Sequence, residues 1–231
     1  APLLTPLTLT PLTQIRTMPD LSFERALIDD IGVTGPCPIV GLDEVGRGPW
    51  AGPVIACAVV LPDPLRDDAG LPLSIVSMID DSKKVTAARR DALYELLCAT
   101  VPYGLGSASA QEIDDLNSLL AMRRALSALP VPVMGALVDG NRDPRLCLPT
   151  RLIVKGDSHS LSIAAASTIA KVHRDRLMGD LARDYPAYGW ERNMGYGTKA
   201  HQDGIKTSGV TPHHRKSFAP IRAQLESKIK I

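Results

Sequence analysis

Cysteine is scarce and poorly placed for pairing: four occur in 231 residues, Cys37, Cys57, Cys98 and Cys147. No two share the short spacing of a metal knuckle, and Cys57 and Cys98 lie in apolar runs. A disulfide framework is therefore not expected, which favours a reducing, cytoplasmic setting. Long apolar runs are also missing. The longest candidate, Val54 to Leu61, is strand-sized and fenced by prolines, so no membrane-spanning helix and no membrane partner are expected. The first 17 residues have neither a basic start nor a small-residue cleavage pattern, so they do not read as a secretory signal. They repeat Pro-Leu-Thr without amphipathic period and are expected to form a disordered leader (residues 1–17), with Met18 a candidate initiator.

Net charge is nearly absent too, at +1, but it is unevenly spread. Residues 1–150 hold 12 Lys and Arg against 18 Asp and Glu, whereas residues 151–231 hold 14 against 7. An acidic front and a basic back fit a carboxylate site beside a polyanion-binding surface. A solvated basic tail explains the same numbers without any function. At 45% hydrophobic and 22% charged residues, the chain has enough apolar material for one core.

Hydrophobic pattern and turn residues place the elements. Residues 18–38 form a lead-in with a short helix over about 21–31, closed by Gly35-Pro36 and Pro38. Strands are expected near 39–43 and 54–61, as an antiparallel pair in a well-covered sheet. A loop runs from Asp63 to Pro72. Thr86 caps a helix through about Ala99, and a strand covers 101–108. Ser109 and Glu112 make a capping box that opens a helix to about Ala128. Apolar strands then run into Asp139-Gly140-Asn141 and into Lys155-Gly156-Asp157. A long helix spans about Ser160–Asp184, an aromatic Gly-rich loop spans 185–198, and Thr198 caps a short helix ending near Gly209. The basic tail, Pro212 to Ile231, is expected to end in one more helix.

Asp43, Glu44, Asp139 and Asp157 each follow a strand-like apolar run. Strands ending on one side of a sheet would gather them, and gathered carboxylates repel unless a cation resolves the conflict. Oxygen ligands favour Mg²⁺ or Mn²⁺ over zinc. Two such ions about 4 Å apart can activate a water and stabilise the leaving oxygen in phosphodiester hydrolysis. Each acid taken singly is also an ordinary turn residue. Gly46-Arg47-Gly48 is either a hairpin turn or a loop whose bare backbone meets a sugar or phosphate. Ser82, Lys83 and Lys84 offer phosphate contacts or a solvated helix entry. Lys171 and Arg174 share one helix face, suited to a nucleic-acid backbone or to pairing with Asp175. Tyr196, between Gly195 and Gly197, suits stacking on a base or sugar. His213, His214, Arg215 and Lys216 are a phosphate patch or a flexible basic tail.

In this order, GLDEVGRGPWAGPV, DDSKK, VDGN, IVKGDS with AAASTIAKVHRD, GYGT and HHRKSFAP resemble ribonuclease HII, over about Ile39 to Ile221. The resemblance implies an α/β, RNase H-like fold: a mixed five-stranded sheet flanked by helices (residues 39–185), with a C-terminal helical extension that binds substrate (186–231). It implies cleavage of RNA in RNA–DNA hybrids and incision at ribonucleotides embedded in duplex DNA, leaving 3′-hydroxyl and 5′-phosphate ends, by a monomer. It places the metal-binding acids on Asp43, Glu44, Asp139 and Asp157, the ribose-reading turn on Gly46, Arg47 and Gly48, and the junction-sensing aromatic on Tyr196. Ser82, Lys83 and Lys171 are candidate substrate contacts. A non-catalytic hybrid-binding module and a junction-type nuclease are the alternatives. One stretch departs from the family: around Asn117 to Met122 the chain is about four residues shorter, close to one helical turn. The expectation is a helix that loses one turn and keeps its buried face roughly in phase.

Overall fold

Alternation along the strands divides the core into two layers. The structure, a computed structural model, describes residues 18–33, 35–63, 65–66, 68–80 and 86–229. Its elements are α1 (Ser22–Ile31), β1 (Ile39–Val45), β2 (Val54–Val60), α2 (Leu73–Asp80), α3 (Ala87–Thr100), β3 (Tyr103–Ala108), α4 (Ala110–Asp115), α5 (Leu119–Ser127), β4 (Gly135–Asp139), β5 (Thr150–Ile153), α6 (Leu161–Asp184), α7 (Trp190–Asn193), α8 (Lys199–Ser208) and α9 (Ala219–Ile229). The strands form one mixed sheet in the order β3-β2-β1-β4-β5. β1 is antiparallel to β2, and β2 to β3, while β4 and β5 run parallel to β1. This is the RNase H-like α/β architecture that the motifs imply.

On one face, Val40, Leu42, Ala56, Ala58 and Val138 pack against Ala121, Met122 and Ala125 of α5. Gly104 and Gly106 let α5 lie directly on β3: a Cβ at Gly106 would come within 2.1 Å of the Ala121 carbonyl oxygen. On the other face, Ile55, Cys57 and Val59 meet the first turns of α6, through Ala165, Ala166 and Ile169, and Leu93 and Leu97 of α3. The run of alanines keeps α6 close to the sheet.

Local signals account for several helix starts. The side chains of Thr86, Ser160 and Thr198 each accept from the amide three residues on, and Ser109 and Glu112 form a full capping box. Two expectations need correction. Residues 110–128 are not one helix missing a turn. They are α4 and α5, separated at residues 116–118, where Asn117 Oδ1 accepts from the Leu119 amide and starts the second helix. The stretch 185–198 is not all loop: it contains a 3₁₀ turn, Pro186–Tyr188, and α7. Beyond the Asp63–Pro72 loop lies α2, which no expectation covered and which buries Ile75 and Ile79 one turn apart.

The lead-in helix is tied to the sheet layer by a buried carboxylate that sequence patterning does not single out. Glu24 Oε1 accepts from Ser160 Oγ (2.6 Å), Ser162 Oγ (2.7 Å) and the Ser162 amide (3.0 Å). Glu24, Ser160 and Ser162 are all buried. Glu24→Ala strands these donors, and the expected loss is about 3 kcal/mol in the unfolding free energy from urea titration. A loss below about 0.5 kcal/mol would show that the tie adds nothing to stability.

Candidate active site

Parallel pairing of β1 with β4 builds the acidic centre. Leu42 pairs with Val138, so Asp43 and Asp139 follow on adjacent strands. Asp43 and Glu44 lie inside β1, not beyond its end. The period of two in a strand sends them to opposite faces. Asp43 turns toward α6 and is only 8% exposed. There Ser167 of α6 hydrogen-bonds its side chain. Asp157 is carried by a single 3₁₀ turn, Gly156–Ser158, that follows β5. The amide of Gly156 donates to Asp139 Oδ1 at 2.6 Å, which docks this turn on the end of β4.

The electrostatics of the four acids are coupled. Burial pushes the Asp43 carboxyl up to about 8. The Ser167 hydrogen bond opposes the rise, and the charges of Asp139, Glu44 and Asp157 add to it. Glu44 is raised by burial against the opposing pull of Arg47, whose Nη1 lies 2.9 Å from Glu44 Oε1. Asp139 is raised by burial, opposed by the Gly156 amide and helped by the Asp157 charge.

Among the described residues, no three His, Cys, Asp or Glu side chains form a ready-made metal-ligand set. Part of the reason is visible: Asp139 Oδ1 is turned to Gly156, and Glu44 Oε1 to Arg47. The acids nevertheless fit a divalent cation in one specific respect. Glu44 Oε2 is buried and has no hydrogen-bond partner. A buried, unpartnered carboxylate oxygen that also feels the Asp139 charge is costly without a cation and is satisfied with one.

Beside the acids lies the turn. Gly46 has φ +93°, and a Cβ there would fall 2.1 Å from Arg174 Nε. Arg215 donates to the carbonyls of Gly46 (2.5 Å), Arg47 (2.9 Å) and Gly52 (2.8 Å from Nη2). The carbonyl edge of the turn at Gly46 and Arg47 is therefore engaged by the protein. Tyr196 is 52% exposed, and its ring carbon lies 3.4 Å from where a Cβ on Gly48 would be. The turn and the tyrosine thus form one surface, next to the acids through the Arg47–Glu44 pair.

The basic candidates divide. Lys171 Nζ pairs with Asp175 at 2.8 Å, the local alternative for that face. Arg174 is 1% exposed and donates to the carbonyls of Pro53, Ala51 and Met194, so it is not available to a phosphate. His214 and Arg215 are likewise buried, which removes them from any exposed phosphate patch. Ser82, Lys83 and Lys84 lie outside the described residues. Sequence reasoning missed Ser167 and the inward roles of Arg174, His201, His214 and Arg215. The AKVHRD block carried Arg174 and the HHR block His214 and Arg215, whereas no motif marked His201.

The sheet order and the acid pair on neighbouring parallel strands define the RNase H-like class of nuclease. The family model for ribonuclease HII matches residues 40–221. A ribonuclease HII of Paramagnetospirillum magneticum is 53% identical over 208 residues, covering 88% of this chain and 97% of that protein. One of Rhodospirillum rubrum is 53% identical over 214 residues, covering 90% and 92%. The crystal structure of ribonuclease H2 from Pyrococcus horikoshii superposes with a TM-score of 0.69 at 26% identity, covering 84% of this chain and 100% of that one. The chain belongs to the ribonuclease HII family, and as such is a divalent-metal-dependent endoribonuclease acting on RNA–DNA hybrids. Among the described residues, no helix is long and apolar enough to cross a membrane.

Proposed function

We propose that the chain cleaves the RNA strand of hybrids and also incises duplex DNA beside a single embedded ribonucleotide, with Mg²⁺ or Mn²⁺ held by Asp43, Glu44, Asp139 and Asp157. The products carry 3′-hydroxyl and 5′-phosphate ends. The observation that carries the metal assignment is the orphaned, buried Glu44 Oε2 beside the raised carboxyls of Asp43 and Asp139. Bound divalent ions supply Lewis-acid polarisation of the phosphodiester and a water nucleophile at neutral pH.

The chain's own residues do the rest. Asp43 has to give up its proton before it can ligate, and Ser167 holds the oxygen that results. Arg47 fixes one Glu44 oxygen and leaves the other for the site. Gly46, Arg47 and Gly48 read the ribose through their backbone, because only a 2′-hydroxyl separates RNA from DNA at one position. Tyr196 stacks against the sugar or base at the junction. Residues 39–185 carry catalysis and 186–231 grip the substrate, within a cytoplasmic monomer.

The test is a duplex DNA with one ribonucleotide, incubated with the folded protein and Mg²⁺ or Mn²⁺. Incision at the ribonucleotide is expected. Binding without incision would select the non-catalytic module, and equal cutting of an all-DNA duplex would select a general phosphodiesterase.

A further inference from the structure

Two consecutive residues of the C-terminal extension hold the two halves of the substrate-reading surface. The segment after the turn is clamped between chain parts distant in sequence. The Trp50 and Ala51 amides donate to the Gly195 carbonyl at 2.8 and 3.3 Å. The Gly52 amide donates to the His213 carbonyl at 2.9 Å, and the Arg215 amide to the Trp50 carbonyl at 2.8 Å. This fixes Arg215 directly behind the turn, where its guanidinium reaches the Gly46, Arg47 and Gly52 carbonyls. It is fully buried. A planar fork can satisfy several carbonyls at once, which a single ammonium cannot do in the same geometry.

His214, the preceding residue, reaches the other half. His201 Nδ1 lies 2.9 Å from the Tyr196 carbonyl, so that nitrogen carries the proton. His201 Nε2 then accepts, and it lies 3.1 Å from Trp190 Nε1 and 3.1 Å from His214 Nε2. His214 Nδ1 accepts from the Thr211 amide at 3.0 Å, which leaves His214 Nε2 as the donor to His201. The Trp190 and His214 N–H groups then share the single lone pair of His201 Nε2, with both imidazoles neutral. Burial lowers both histidines, His214 to about 4, so both are neutral at physiological pH.

The geometry points to Arg215 and His214 as positioning residues for sugar discrimination: Arg215 seats the Gly46–Gly48 turn, His214 seats Tyr196 through His201, and their adjacency sets the gap between the two. This rests on the reading of the turn as the ribose reader. The placement acts on recognition, not on the acids, so its signature is a loss of preference without a loss of metal binding.

The experiment measures affinity for a duplex with one ribonucleotide and for the same duplex in all-DNA form, with Ca²⁺ replacing the catalytic metal, together with Mn²⁺ affinity by calorimetry. Arg215→Lys is expected to reduce the ribo-over-deoxy preference about tenfold while Mn²⁺ affinity stays within about twofold of wild type. His214→Gln, which leaves the Arg215 fork intact, is expected to reduce the same preference by a smaller factor, and His214→Gln with Tyr196→Ala is expected to be no worse than Tyr196→Ala alone. An unchanged preference in folded Arg215→Lys overturns the assignment of Arg215. If that variant does not fold, full additivity of the His214 and Tyr196 changes overturns the shared scaffold. A wild-type protein with no preference at all would instead sink the ribose reading itself.

Discussion

Asp43→Asn is expected to reduce incision to the assay background and, in metal-free buffer, to make the protein more stable at alkaline pH. Both effects have one source. The Asp43 carboxyl is buried on the α6 face of β1, and burial holds it near 8, against an ordinary value of 3.8. The folded state therefore keeps a proton that the unfolded chain loses. Asp43's contribution is complete below about pH 4 and is lost as pH rises through about 8. Asparagine has no proton to lose. The advantage of the variant should be near zero at pH 4 and grow to about 2–5 kcal/mol at pH 9. In a chain of this size that is at least about 5 °C in melting temperature. On the proposed metal assignment, saturating Mn²⁺ should erase or reverse the difference, since asparagine offers the ion no carboxylate. A melting-temperature gap that is flat between pH 5 and pH 9 would show that Asp43 is not the strained member of the cluster. Retained incision would remove it from the site.

Gly46→Ala is the second large effect expected. The backbone there has φ +93°, and the new Cβ would sit 2.1 Å from Arg174 Nε. Arg174 cannot yield easily, because it holds the Pro53 and Met194 carbonyls at 3.0 Å each. The turn must move instead, which disturbs both its contact with Tyr196 and the Arg47–Glu44 pair. A displacement of about 1 Å can lower turnover about a hundredfold, and a loss of that size in kcat/KM is expected on a single-ribonucleotide duplex. Divalent-ion binding should survive, because the acids belong to β1, β4 and the 3₁₀ turn and not to the Gly46 loop. Unchanged incision and unchanged ribose selectivity in Gly46→Ala would show that the turn has no reading role.

What the sequence discloses divides along the range of the interactions. Caps are local, so Thr86, Ser109, Ser160 and Thr198 mark helix starts without knowledge of the fold. Apolar runs mark the strands, and the acids that follow them point to a centre. The division of 110–128 into α4 and α5 escapes such reasoning. The apolar spacing runs through the gap, and Asn117 gains its capping role only once the chain bends. α2 is missed because an eight-residue segment behind a proline-containing loop gives too short a pattern. Arg174, His214 and Arg215 mislead for another reason: charged and imidazole side chains normally face water. The two arginines hold backbone carbonyls, 121 residues away for Pro53 and Arg174 and 169 for Gly46 and Arg215, and His214 holds another imidazole, His201. Nothing local announces a cation destined for a carbonyl cage.

That 169-residue separation also has a consequence in time. Synthesis makes the Gly46 turn long before Arg215. The acids on β1 and β4, the 3₁₀ turn and α6 are all complete in a nascent chain that has not yet reached the extension. Such a chain carries the four acids but lacks Arg215, which holds the Gly46 and Arg47 carbonyls. The order of translation therefore makes the acids first and the carbonyl-holding arginine later, so a product truncated before residue 215 carries the acids without the guanidinium behind the turn.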